Sequence, residues 1–192
     1  MAKDKLDELD KISPHPSSNS LSGADLLLEE GIDYYEGKNG KAINCIKAME
    51  LFMQASKLGC PKADFYIGDY NKNEFGAQHL KKSALAGDPD GQTRYAYYLK
   101  NGIGVQQNLD EAMHWYQQAA DQGNAEALFE YGREAYERSS SQEEVQRGEL
   151  CLKKAAEKLY PDAIYYYSKF ILQTNPSDSS KFYEYALAKG SK

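Results

Sequence analysis

The reading of the fold rests on residues 96–124. They contain Ala96-Tyr97-Tyr98-Leu99, the turn Asn101-Gly102-Ile103-Gly104-Val105, then Asn108, Asp110, Ala112, Trp115-Tyr116, Ala119-Ala120 and Gly123-Asn124. Trp115 and Tyr116 stand four and three residues before Ala119, so all three share one helical face. Gly123 falls where that helix must end in a left-handed cap, and Asn124 is suited to cap the next one. The turn at 101–105 joins an earlier helix to this one, and Asp110 is placed to cap the helix that follows the turn.

The same signature recurs on both sides: Leu51-Phe52, Ala55, Gly59; His79-Leu80, Ser83, Gly87; Cys151-Leu152, Ala155, Leu159; Phe182-Tyr183, Ala186, Gly190. From one small residue to the next the steps are 28, 36, 36 and 31 residues, a period that means a solenoid of two-helix units. The 28-residue step follows from a shortened connection around Asn71-Lys72-Asn73. Pro61, Pro89 and Pro161 open the helix after the first, second and fourth signatures, where a missing N–H costs nothing. That next helix carries a small residue of its own: Gly31, Gly68, Ala96, Gly132 and Ser168. Two helices of a hairpin approach closely only where one has almost no side chain, and the packing gained there must offset glycine's low helix propensity. Ser141 and Glu144 have the spacing of a capping box.

The expected fold is therefore all-α, a solenoid of about five helix pairs and ten helices. Residues 1–20 form a flexible N-terminal arm, in which Ser13-Pro14-His15-Pro16-Ser17 cannot continue a helix and Leu6, Leu9 and Ile12 give at most one amphipathic turn. The approximate units are 21–60, 61–88, 89–124, 125–160 and 161–192.

Residues 89–124 in particular resemble the Sel-one-like repeat, whose pattern is a helix, a G-x-G-V loop, an acid, W-Y, A-A and then G-N. The units ending at Gly59 and Leu159 resemble it less closely, and the second and fifth least. The resemblance covers about residues 21–192. It implies a right-handed superhelix related to tetratricopeptide arrays and a role as a protein–protein adaptor or scaffold. Some secreted, cysteine-rich relatives are linked to binding or hydrolysis of penicillin-like compounds. That β-lactamase-type hydrolase is the alternative function, but no helix pair here carries two matched cysteines.

Composition narrows the class further. The net charge is -6 and the pI about 5.2, which argues against nucleic acid or an anionic membrane as the partner. No apolar run is long enough to insert in a membrane, and the first residues do not read as a secretory signal, so a cytoplasmic protein is expected. Cys45, Cys60 and Cys151 are odd in number and lack metal-ligand spacing, so they read as free thiols and no metal or cofactor is expected. His15 lies in the arm, His79 takes a packing slot and His114 faces solvent. No nucleophile–base motif or phosphate loop is present, so the chain is read as a non-enzyme.

The 16 tyrosines are the positive signal. Tyrosine supplies rigid contact area with a polar tip. In tetratricopeptide-like arrays the first helix of each pair lines the concave groove. The side of that helix away from the small residue presents Phe65, Tyr66 and Asp69, then Arg94, Tyr97 and Lys100. The next units add Phe129, Arg133 and Tyr136, then Tyr166 and Lys169. These are the expected partner-binding residues, with Arg94, Arg133 and Lys169 meeting acidic groups of a peptide. The charges have a second reading. Lys100, Arg133 and Lys169 near helix ends, and Asp90, Glu126 and Asp162 in first turns, also complement the helix dipole. At the other end of the chain, the last helix has Phe182, Tyr185 and Ala186 with no following repeat to cover them. Weak homodimerisation through this helix, or a self-associating structural subunit, is the remaining expectation.

Overall fold

The computed structural model describes residues 21–138 and 141–174, with residues 184 and 188. Among the described residues there are nine helices and no strand: α1 (Gly23–Glu36), α2 (Cys45–Lys57), α3 (Pro61–Tyr70), α4 (Glu74–Leu85), α5 (Pro89–Asn101), α6 (Leu109–Asp121), α7 (Ala125–Arg138), α8 (Gln142–Glu157) and α9 (Pro161–Thr174). They form four hairpins, α1–α2, α3–α4, α5–α6 and α7–α8, followed by the first helix of a fifth, each packed on the next as an all-α helical-repeat solenoid. The N-terminal arm and, apart from residues 184 and 188, the tenth helix with its proposed dimer contacts Phe182, Tyr185 and Ala186 lie outside the described residues.

The signature residues do what their spacing implies. Phe52, Leu80, Tyr116 and Leu152 are fully buried, as are Ala55, Ser83, Ala119 and Ala155. Gly59, Gly87 and Gly123 have φ of 84°, 87° and 84°, the left-handed caps expected of them. Leu159 takes the same conformation at φ 62° without being glycine. The small slot in each first helix sets the hairpin distance. A Cβ on Gly31 would stand 2.6 Å from the Phe52 ring, and one on Gly68 would stand 2.8 Å from the carbonyl oxygen of Gly76. The glycine-containing turn also has a structural cause. A side chain on Gly104 would overlap the backbone of Asn73, so this loop seats on the start of α4.

Two capping expectations are corrected. Asn108, not Asp110, is the N-cap of α6, because its side chain accepts from the Glu111 amide while Asp110 already lies in the first turn. Ser141 precedes α8, but its hydroxyl makes no capping bond to the helix amides, so no reciprocal capping box forms. Asn124 does cap α7, accepting from the Ala127 amide at 2.9 Å.

Candidate interaction surface

The first helices of successive pairs touch directly, α3 on α5 and α7 on α9. Their exposed sides are joined by ion pairs that run from one unit to the next. Arg94 Nε lies 2.8 Å from Asp69 Oδ1 and its Nη1 lies 3.8 Å from Glu126. Lys100 Nζ is 2.8 Å from both Glu130 and Glu134. Arg133 joins Glu130, Glu134 and Glu137, and Arg138 also reaches Glu134. Lys62 pairs with Asp90, whose other oxygen accepts from Asn124. The Lys62, Arg94 and Lys100 pairs join residues about one unit apart in sequence because equivalent positions on neighbouring first helices come side by side, whereas Arg133 and Arg138 pair within α7.

Burial raises the Glu126 carboxyl, and Arg94 only partly offsets it. Burial also pushes Glu134 upward, but Lys100, Arg133 and Arg138 outweigh it and hold that carboxyl below the ordinary range. Burial works against the charge on Arg133, yet its three carboxylate neighbours raise its pKa.

The expected partner-binding residues do not form one surface. Asp69, Arg94 and Tyr97 come together in a cleft of about 460 Å³, which Tyr35, Tyr70, Lys72, Tyr98 and Ile103 complete. Tyr97 and Tyr70 are exposed there, at 40% and 52%. Arg94, Lys100 and Arg133 are committed to ion pairs within the array, which the charge pattern alone did not reveal. The remaining aromatics pack between units. Tyr66 stacks on Phe52 with centroids 4.7 Å apart, and Phe65 lies edge-on to Tyr66. Phe129 is buried against Tyr160 and Tyr166, and Tyr136 packs on Phe170. Lys169 is exposed on α9.

Tyr35, Tyr70 and Lys72 were absent from the sequence-based set, although the signal for two of them was present. Tyr35 stands four residues after Gly31 and Lys72 four after Gly68, the register that Lys100 has after Ala96 and Tyr136 after Gly132.

A second polar cluster went unread. Asp64 is 1% exposed. Its carboxylate accepts from Ser56 Oγ at 2.6 Å and from Lys82 at 2.9 Å, and lies 2.7 Å from His79 Nδ1. It ties α2, α3 and α4 together. The Ser56 hydroxyl donates to the carboxylate and not to the imidazole, so this is no serine–histidine relay. His79 thus has a polar partner as well as the expected packing contact, the edge of Phe75. His114 is exposed and bonded to Gln118. All three cysteines are free, with Cys60 buried. Among the described residues no group of three or more His, Cys, Asp or Glu is arranged to hold a metal, and no helix is long and apolar enough to cross a membrane.

Comparison with known proteins agrees with this architecture. The fold is similar to that of a protective antigen of uropathogenic Escherichia coli displaying an SLR fold, with a TM-score of 0.74 and 24% identity. The match covers 87% of this chain but only 38% of the antigen's length. A Sel1 repeat protein from Oxalobacter formigenes gives a TM-score of 0.76 at 22% identity, covering 88% of this chain and 74% of the other. An immunity protein from Pseudomonas aeruginosa gives 0.61 at 18% identity, covering 87% and 67%. The search of curated proteins gave no match. Repeats of the Sel1 type generally mediate protein–protein interaction and are typically non-catalytic. The Sel1 repeat matches at residues 31–60, 89–124 and 125–158, together just over half of the sequence, and the chain belongs to the Sel1 repeat family.

Proposed function

We propose that the protein is a non-catalytic adaptor that binds a partner peptide or protein on the surface formed by its first helices. The observation that carries this reading is the tyrosine-walled cleft between α1, α3 and α5, lined by Tyr35, Tyr70, Tyr97 and Lys72. Exposed tyrosines around a recess are the kind of rigid, amphipathic anchor that dominates interface energetics. The direct contact between first helices supports placing this surface on the inner side of the superhelix. Because Arg94 and Lys100 already neutralise carboxylates of adjacent units and Arg133 those of its own helix, recognition rests mainly on the aromatic side chains and Lys72, and less on the arginines.

The test is affinity capture from native lysate with the wild type and a Tyr70→Ser/Tyr97→Ser variant. The expected result is a partner held by the wild type and lost by a variant with unchanged helicity and melting temperature. Retention of every captured protein by that variant would move the binding surface elsewhere on the molecule.

A further inference from the structure

The second helices are not equivalent on their outer faces. Counting back from the small residue of each signature, the position nine residues earlier is Ile46 in α2, Glu74 in α4, Asp110 in α6 and Gln146 in α8. The position two residues earlier is Met53, Lys81, Gln117 and Lys153. The repeat register therefore calls for polar residues at both places, and α2 alone has apolar ones. With Cys45, Met49 and Tyr70 they line an apolar groove along α2, in which Ile46 is 77% exposed. Met49 and Met53 are half-buried against the core of the first unit, but their outer sides and Ile46 are left open, and no described helix covers them.

We propose that the groove is the docking site of this chain's own N-terminal arm, through Leu6, Leu9 and Ile12. The arm leaves the described residues at the right place. Gly31 packs on Phe52 and the Asn44 amide donates to the Tyr34 carbonyl, so α1 and α2 run antiparallel and the start of α1 lies beside the end of α2. Residues 13–21 link Ile12 to Ser22. Fully extended they span about 30 Å, against about 20 Å for the whole of α2. Leu6, Leu9 and Ile12 are the apolar residues of the docking segment, spaced three apart in sequence, and the groove offers an apolar run of roughly 10 Å from Ile46 to Met53. A tether this short gives the arm an effective concentration in the millimolar range, which favours it over a second copy of the chain.

Cys45 at one end of the groove reports on occupancy. The full chain and its Leu9→Asp variant are pulsed with iodoacetamide, and alkylation at each cysteine is read by mass spectrometry. Leu9→Asp lies outside the helical array and is expected to keep its helicity, with only the small loss of stability that undocking the arm brings. A groove covered nine-tenths of the time slows modification about tenfold, so Cys45 is expected to react about tenfold faster in the variant. Cys151, far along the array, keeps its rate. Equal Cys45 rates in the two proteins would overturn the proposal. So would protection that fades on dilution, which would assign the groove to a second copy.

Discussion

Gly132 and Gly148 face each other across the α7–α8 hairpin, each standing where the other's side chain would begin. A Cβ on Gly132 would lie 2.8 Å from the carbonyl oxygen of Gly148, and one on Gly148 would lie 3.0 Å from that of Gly132. Both obstacles are backbone, which cannot swing aside. Gly132→Ala is therefore expected to destabilise the protein by about 2 kcal/mol, although alanine favours the helix itself by about 1 kcal/mol. Gly23→Ala is the control, since nothing lies within 4 Å of the added atom. Urea denaturation reads both. A neutral Gly132→Ala would mean that the hairpin can open at this level without loss.

The Gly132 side of that relationship was legible in the sequence because its cause is local and repeats, whereas Gly148 went unread. A small residue at a fixed phase, in helix after helix, has no other physical reason than close approach. The helix count over the described residues, the left-handed caps and the buried signature positions were readable on the same ground. The ion pairs between units were not. Arg94 reaches Asp69 of the preceding unit and Glu126 of the following one. Their partnership depends on how far neighbouring units rotate, which no single repeat encodes. Asp64 was hidden for another reason. It lies beside Ala63 in the first turn of α3 and reads as a solvated acid, until α2 brings Ser56 and α4 brings His79 and Lys82 around it.

Leu159 occupies the cap position that glycine fills at 59, 87 and 123, at φ 62°. A branched side chain there costs about 1–2 kcal/mol of backbone strain, while glycine gives back part of that through a more flexible unfolded chain. Leu159→Gly is expected to stabilise the protein by about 0.5–1 kcal/mol. The reverse change, Gly87→Leu, should cost about the same or more. Chemical denaturation of both variants checks the sign. A destabilised Leu159→Gly would show that the leucine side chain contributes packing worth more than its strain.

Asp64 collects Ser56, His79 and Lys82 at the junction of the first two units. Replacing it by asparagine keeps the shape but leaves donors facing a group that accepts less and also donates. Breaking a buried, hydrogen-bonded charge in this way costs about 3 kcal/mol. Asp64→Asn should therefore lower stability by that order, and His79→Leu by less, because the other two donors remain. Hydrogen exchange localises the effect, with amides of α2, α3 and α4 losing protection before those of α7 and α8. Uniform loss across the array would mean that the units do not open separately.

Glu134 gives stability a pH dependence whose sign follows from its partners. Lys100, Arg133 and Arg138 hold its carboxyl below the ordinary range against the effect of burial. A group depressed in the folded state contributes fully above its unfolded pKa, and the contribution disappears as pH falls through the folded value. Glu134→Gln is expected to cost about 3 kcal/mol at neutral pH, where the cations are left facing an amide. The wild type loses the same advantage in acid, so the gap between the two proteins should narrow once pH falls below about 4. Urea melts of both at pH 7 and pH 3.5 measure the gap directly, and a gap that does not change would assign the loss to packing. Glu126 supplies the opposite case. Burial raises its carboxyl, so its ionisation opposes folding as pH rises through the ordinary range. Glu126→Gln should therefore be neutral or mildly stabilising at pH 7, even though it removes a contact with Arg94.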